Sequence, residues 1–178
     1  MAIEQITEEK KMVMACVAGE KLAQQEFYQR FSGVLFAICK RYAGQDILAE
    51  DMFQEAMIKI YQKLGDFRFE GSLEGWLKRI CVNQCLDTLK KSKAKFQDSL
   101  DNAHELIASS DDVFAEINAK NLMQLLMKLP VGYRTVFNMF AIEGYSHAEI
   151  AEILNISENT SKSQMFKARK WLQTQISR

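Results

Sequence analysis

Turn-forming residues are nearly missing from this chain, and that scarcity limits what it can fold into more than any other feature. The 178 residues include one proline and eight glycines, too few to separate the many short strands of a sandwich or barrel. Long helices with short connections remain, so an all-α protein is expected. Apolar residues make up 48% of the chain and charged residues 26%, with 23 basic residues against 23 acidic. That composition can build a core and does not suit a disordered tail. The length fits one ordinary domain or two small ones at about 100 to 200 residues each. No stretch approaches the roughly 18 consecutive apolar residues of a membrane span, and the opening MAIEQITEEKK has acids where a signal peptide would have a basic region. A cytoplasmic location is the expectation.

The periodicity places the helices. Ala23, Phe27, Phe31, Val34, Leu35, Ile38 and Tyr42 recur at helical spacing, with Gly44 as a stop, and a shorter helix is expected before them at about residues 8–18. Asp46 offers a cap to a second long helix whose stripe is Ala49, Met52, Phe53, Ala56, Ile60 and Leu64, ending at Gly65. After the loop DFRFEG, Ser72 caps a third helix with Leu73, Leu77, Ile80 and Leu89 on its apolar face. Residues 96–111 lose the pattern and gain Asp, Asn and Ser, which marks a linker between domains at 1–95 and 112–178. Beyond it, Phe114, Ile117, Leu122, Leu125, Leu126 and Leu129 outline a helix. Pro130 opens another at its first position, ending near Gly144, and two more lie within 146–176.

Net charge is zero, but the charges are segregated. Residues 76–95 carry six basic groups against one acidic and residues 157–178 carry five against one, whereas residues 96–156 carry three against nine. Two basic segments suit contact with a nucleic acid at two places, since each neutralised phosphate releases counterion. They equally suit solvated helix faces.

Three constellations give the charge pattern more content. SHAEIAEILNISENTSKSQMFKARKWL has the makings of a helix-turn-helix: small Ala151 at the close approach, Asn155 where the turn needs a left-handed residue, Ile150, Leu154 and Ile156 as a small core, and Ser157 as a cap. Its second helix presents Asn159, Thr160, Lys162, Ser163, Phe166 and Lys167, a mixture of donors, acceptors and cations suited to base edges and phosphates. The second constellation, FRFEGSLEGWLKRICVNQ, interleaves Phe67, Phe69 and Trp76 with Arg68, Lys78 and Arg79, and Trp76, Arg79 and Asn83 share a helical face. That face is either a stacking platform for unpaired bases or a core tryptophan with polar neighbours. In the third, Glu50, Asp51, Gln54 and Glu55 gather on one side of the second long helix beside Ile58. They could dock a basic, partly apolar protein or be plain solvated surface.

Catalytic, metal and cofactor readings find no support, and none is expected. His104 and His147 stand apart, with no phosphate loop or metalloprotease motif near them. Cys16, Cys39, Cys81 and Cys85 read as reduced core thiols. Cys81 and Cys85 share a helical face, but a zinc site needs two more ligands and none is near in sequence.

Taken together, these segments make the chain resemble the extracytoplasmic-function sigma factors of the bacterial sigma-70 family, across residues 8–176. The resemblance implies two small helical domains, a region 2 bundle and a region 4 helix-turn-helix, joined by a flexible linker. It implies a non-enzymatic promoter-specificity subunit that directs bacterial core RNA polymerase to its initiation sites. AEDMFQEAMIKIY is similar to region 2.2, so Glu50, Asp51, Gln54 and Glu55 would contact the clamp helices of the largest polymerase subunit. FRFEGSLEGWLKRICVNQCLDTLKK resembles regions 2.3 and 2.4, so Phe67, Phe69, Trp76, Arg79 and Asn83 would melt and hold the minus-ten element of promoter DNA. NISENTSKSQMFKARKWL resembles region 4.2, with Asn159, Thr160, Lys162, Ser163, Phe166 and Lys167 reading the minus-thirty-five element. An anti-sigma factor is a further implied partner.

The likeness has departures. Many relatives have a β-branched residue at the position of Ser161 and an arginine at Gln164. Weaker packing under the recognition helix and a lost phosphate contact are therefore expected. The alternative reading is a stand-alone helix-turn-helix regulator, which would leave the acidic helix and the aromatic loop unused.

Overall fold

A computed structural model describes residues 2–91 and 119–176. Among these residues every regular element is helical: α1 (Ala2–Val17), α2 (Lys21–Ala43), α3 (Asp46–Lys63), a 3-10 turn (Leu64–Asp66), α4 (Leu73–Lys91), α5 (Ala119–Lys128), α6 (Val131–Phe137) continuing as a π-helical turn (Asn138–Ile142), α7 (His147–Leu154) and α8 (Glu158–Ile176). Backbone contacts sort them into two compact units, one from Met1–Lys40 with Asp46–Asp87, the other from Arg41–Gln45 with the described part of Thr88–Arg178. The expected linker at 96–111, His104 and the start of the expected helix at 113–118 lie outside the described residues.

In the first unit most residues of the expected stripes turn inward, with Ala23, Val34, Phe53 and Ile80 only half-buried. Phe27, Phe31, Leu35 and Ile38 of α2, Ala49, Met52, Ala56 and Ile60 of α3, and Leu73, Leu77, Cys81 and Cys85 of α4 are all buried. Burying one such large side chain is worth about 1.5 to 3 kcal/mol. Rings and polar tips join the helices: Phe27 lies 5.0 Å from Phe31 and 5.4 Å from Tyr61, and the Tyr61 hydroxyl donates to the Gln24 carbonyl at 3.1 Å.

The helix ends differ in detail from the sequence expectations. With no Pro or Gly in AIEQITE to stop it, α1 extends back to Ala2. Asp46 is the first helical residue rather than a cap, and its carboxylate pairs with Lys40 at 3.1 Å. At the far end of α3 the chain tightens through the 3-10 turn, so Gly65 lies within that turn. Ser72 does cap α4, its hydroxyl accepting from the Gly75 N–H at 3.2 Å. Pro130 is one residue outside its helix, as its extended ψ of 143° requires.

The second unit packs α5, α6 and α7 against α8 around Leu126, Leu129, Val136, Met139, Ile150, Leu154, Met165, Ala168 and Leu172. Buried Arg134 donates from Nη1 to the carbonyls of Met127 and Leu129 at 3.1 and 2.7 Å, satisfying acceptors at the end of α5. Its burial lowers the guanidinium pKa to about 10, so it stays charged at neutral pH. The turn between α7 and α8 is set by Asn155 at φ 55°, ψ 49°, and the next amide, Ile156, donates back to Ala151 at 3.0 Å. A left-handed conformation disfavours β-branched side chains by about 1 to 2 kcal/mol. Asn155→Val is therefore expected to destabilise the chain by about that amount and Asn155→Gly by a few tenths of a kcal/mol or less. Urea unfolding of both variants checks this.

Candidate functional site

The outer side of α3 carries the acidic group. Glu50, Asp51, Gln54 and Glu55 are all exposed, because Ala49, Met52, Ala56 and Ile60 take the inward stripe. Ile58 is 59% exposed beside them. Next to Glu50, a shallow groove between α2 and α3 is lined by Tyr28, Ser32, Gly33, Phe36 and Phe53. Glu55 differs from its neighbours because its carboxylate accepts from Gln84 Nε2 on α4. Gln84 Oε1 in turn accepts from Lys59 Nζ at 2.9 Å, and Lys59 pairs with Asp87 at 3.2 Å. This network ties α3 to α4 and gives Glu55 a structural duty that, among the described residues, Glu50 and Asp51 do not share. The sequence conceals it, since the pairs are 25 to 29 residues apart.

The loop before α4 is built on stacked rings. Phe67 packs edge-on against Phe69 at 4.9 Å and tilted against Trp76 at 5.3 Å. Phe67 is only 9% exposed, so it acts as the pedestal of the loop and its ring is not open to a base. Trp76 is half-buried on that pedestal rather than a free platform. Phe69 is partly exposed, with Lys10 Nζ 5.7 Å from its ring centre. It holds φ at 59°, a strained state for a bulky residue that persists only where its surroundings enforce it, and such strain clusters at functional sites. Further along α4, Arg79 and Asn83 are exposed.

The helix-turn-helix is formed by α7 and α8. Ser157 caps α8 by accepting from the Thr160 N–H at 2.9 Å, and its hydroxyl meets that of Thr160 at 2.8 Å. Asn159, Lys162, Ser163 and Phe166 are exposed, while Thr160 and Lys167 are half-exposed. All six lie on the outward part of α8. Lys162 pairs with Glu158 at 2.7 Å, which holds the Glu158 carboxylate below its ordinary pKa. Two departures from the resemblance resolve differently than expected. Gln164 is 2% exposed, so its position points into the core and no groove-facing cation is lost there. Ser161 is fully buried, and its hydroxyl bonds His147 Nδ1 at 2.9 Å while the His147 ring stacks on Phe140 at 4.3 Å. The serine thus fastens α8 to α7 by a polar bond, where only the loss of an apolar contact was expected. This role of His147 is invisible in sequence because its partner is 14 residues away.

Comparison with known proteins decides what these surfaces belong to. Family models described as "Sigma-70 region 2" and "Sigma-70, region 4" match residues 27–95 and 119–172. The ECF RNA polymerase sigma factor SigM of Mycobacterium tuberculosis is 30% identical over 159 residues, which cover 89% of this chain and 80% of that relative. The chain belongs to the sigma-70 family, in its extracytoplasmic-function group. SigW of Bacillus subtilis is 28% identical, covering 94% of this chain and 96% of its own length. Among solved structures, the sigma factor RpoE crystallised with the anti-sigma factor NepR from Bartonella quintana aligns at 23% identity and a TM-score of 0.48, over 84% of this chain and 94% of that one.

As a sigma factor of this group the chain is a promoter-specificity subunit of RNA polymerase. No described helix is long and apolar enough to cross a membrane.

One electrostatic feature of the sigma factor's helix-turn-helix makes its stability depend on pH. Ser146 and Glu149 form a full capping box at the start of α7. The Ser146 amide, then its hydroxyl, donates to the Glu149 carboxylate and lowers its pKa. A depressed carboxylate stabilises fully above the unfolded value of about 4.3 and loses that contribution as pH falls through the folded value. Glu149→Gln keeps the box but not the charge. Its melting temperature should fall below that of the unmodified protein at neutral pH and converge with it in acid, as a series of thermal melts checks. Ser146→Ala should cost about 0.5 to 2 kcal/mol at neutral pH.

Proposed function

We propose that the sigma factor divides its work among three surfaces. The exposed acids of α3, with Gln54, Ile58 and the adjoining apolar groove, dock on the clamp helices of the largest subunit of core RNA polymerase. The strained aromatic loop and the outward side of α4, through Phe69, Trp76, Arg79 and Asn83 with Phe67 as support, open the minus-ten element of promoter DNA and hold the displaced strand. The outward side of α8, through Asn159, Thr160, Lys162, Ser163, Phe166 and Lys167, reads the minus-thirty-five element. Residues 1–95 and 112–178 act as the two functional domains, with 96–111 as the tether. The chain has no enzymatic activity of its own, works in the cytoplasm and takes an anti-sigma factor as a further partner. That last partner rests on family membership alone.

One observation carries the reading: a single chain holds both sigma regions, and the residues matching their contact positions, Phe67 excepted, stand outside the buried stripes. A stand-alone regulator would use only the second region. Aromatic stacking is worth roughly 1 to 3 kcal/mol per base, enough to offset part of the cost of unpairing. Run-off transcription with purified core polymerase on a genomic promoter library tests the whole proposal. Failure to direct initiation at any promoter would overturn it.

Three sharper outcomes follow from the geometry. Glu50→Lys with Asp51→Lys, which spares the Glu55 to Gln84 bond, should weaken core polymerase binding at least tenfold, equal to about 1.4 kcal/mol or more, with helix content unchanged by circular dichroism. Phe69→Gly keeps the left-handed loop conformation while removing the ring, so it should fold normally yet open promoters poorly, as permanganate reactivity of unpaired thymines reads. On α8, Lys162→Ala should change the preferred minus-thirty-five sequence, whereas Lys170→Ala, two turns further on, should weaken all sequences alike and make the salt dependence shallower by about one. Library selection at two salt concentrations separates these effects.

A further inference from the structure

Three cysteine sulfurs meet inside the first unit. Cys39 on α2 lies 3.5 Å from Cys81 and 3.8 Å from Cys85, both on α4, sulfur to sulfur. All three sulfurs fall within 4.8 Å of one another. The side chains have no solvent exposure, and none forms a disulfide. Cys81 also points its thiol at the Leu35 carbonyl, 3.5 Å away. Among the described residues no histidine, carboxylate or fourth cysteine joins the group.

Charge decides which ion such a cluster can hold. Structural zinc sites close a tetrahedron with four protein ligands, and three thiolates on a divalent ion would leave one negative charge buried and uncompensated. A monovalent copper ion would leave two. The neighbours on the same inward faces, Leu35, Ile38, Leu77 and Leu86, are apolar and buried and offer no balancing cation. A trivalent soft ion with three thiolates is neutral, and pyramidal arsenic(III) is complete with three ligands. We propose that Cys39, Cys81 and Cys85 form a binding site for a soft trivalent ion of the arsenite class.

The chemistry balances without a redox step. Neutral arsenous acid, As(OH)3, exchanges three As–O bonds for three As–S bonds. Each thiol proton leaves with a hydroxyl as water, and arsenic stays in the +3 state throughout. Entry requires transient opening of α2 from α4, and once seated the ion cross-links those helices.

The full-length chain, reduced with a phosphine and freed of small thiols, is incubated with sodium arsenite and examined by native mass spectrometry. The expected product has gained one arsenic and lost three hydrogens, and its unfolding midpoint rises by about 5 °C at saturation. Cys39→Ala, Cys81→Ala and Cys85→Ala should each weaken binding by about 100-fold, since each removes one intramolecular attachment. Cys16→Ala, whose thiol is buried outside the cluster, should bind as the unmodified protein does. Where an alanine variant is unfolded by circular dichroism, the serine variant replaces it. The hydrogen count on the unmodified protein requires no variant at all. No adduct, loss of only two hydrogens, retention of the adduct when all three cysteines are replaced, or zinc(II) bound as tightly as arsenite would each overturn the proposal.

Discussion

Much of the first unit depends on how α4 divides its two sides. Leu73, Leu77, Cys81 and Cys85 recur four residues apart and turn inward, which leaves Arg79 and Asn83 no course but outward. The burial that holds the bundle together therefore also presents the residues proposed to meet DNA. Destabilising one side would disturb the other, and for this reason the aromatic loop is supported from below rather than left free. Phe67 occupies the interior so that Phe69 can stay partly exposed in its strained conformation. Strain of this kind, about 1 to 3 kcal/mol, survives only when neighbouring contacts over-determine it, and here the Phe67 ring, itself backed by Trp76, and the Lys10 ammonium lie against Phe69.

The helix-turn-helix follows the same logic with different fastenings. Its turn rests on one left-handed residue, Asn155, flanked by a capping box at Ser146 before α7 and a hydroxyl cap at Ser157 before α8. Between the helices the packing is mixed. Ile150 and Leu154 give the apolar part, and the His147 to Ser161 bond gives a directed polar one. A buried hydrogen bond contributes only about 0.5 to 1.5 kcal/mol net, but its direction restricts how α8 can rotate, and that rotation determines which side chains face a groove. The Lys162 to Glu158 pair is a weaker restraint, exposed and screened. It leaves Lys162 free to exchange that partner for the base or phosphate proposed above.

Most of this architecture was legible in the sequence, because helical burial follows a local period. The stripes of α2, α3 and α4, the turn at Asn155, and the caps at Ser72 and Ser157 all involve residues within four positions of each other, so spacing and side-chain chemistry determined them without knowledge of the fold. Exposure of Glu50, Asp51, Gln54 and Glu55 followed from the same period. Smaller details at helix ends were not legible. Whether Asp46 caps or begins α3, or Pro130 precedes or opens α6, turns on backbone angles that one residue of context does not decide.

What only the tertiary structure decided are contacts between residues far apart in the chain. Cys39 meets Cys81 across 42 positions, Glu55 is held by Gln84 across 29, and Phe67 is a pedestal only because Trp76 rests on it. Gln164 turns inward although its place in a charged segment suggested a surface residue. A helical period fixes which side chains share a face. It does not say which other helix covers that face, since that depends on how several helices pack at once, and no local spacing encodes it.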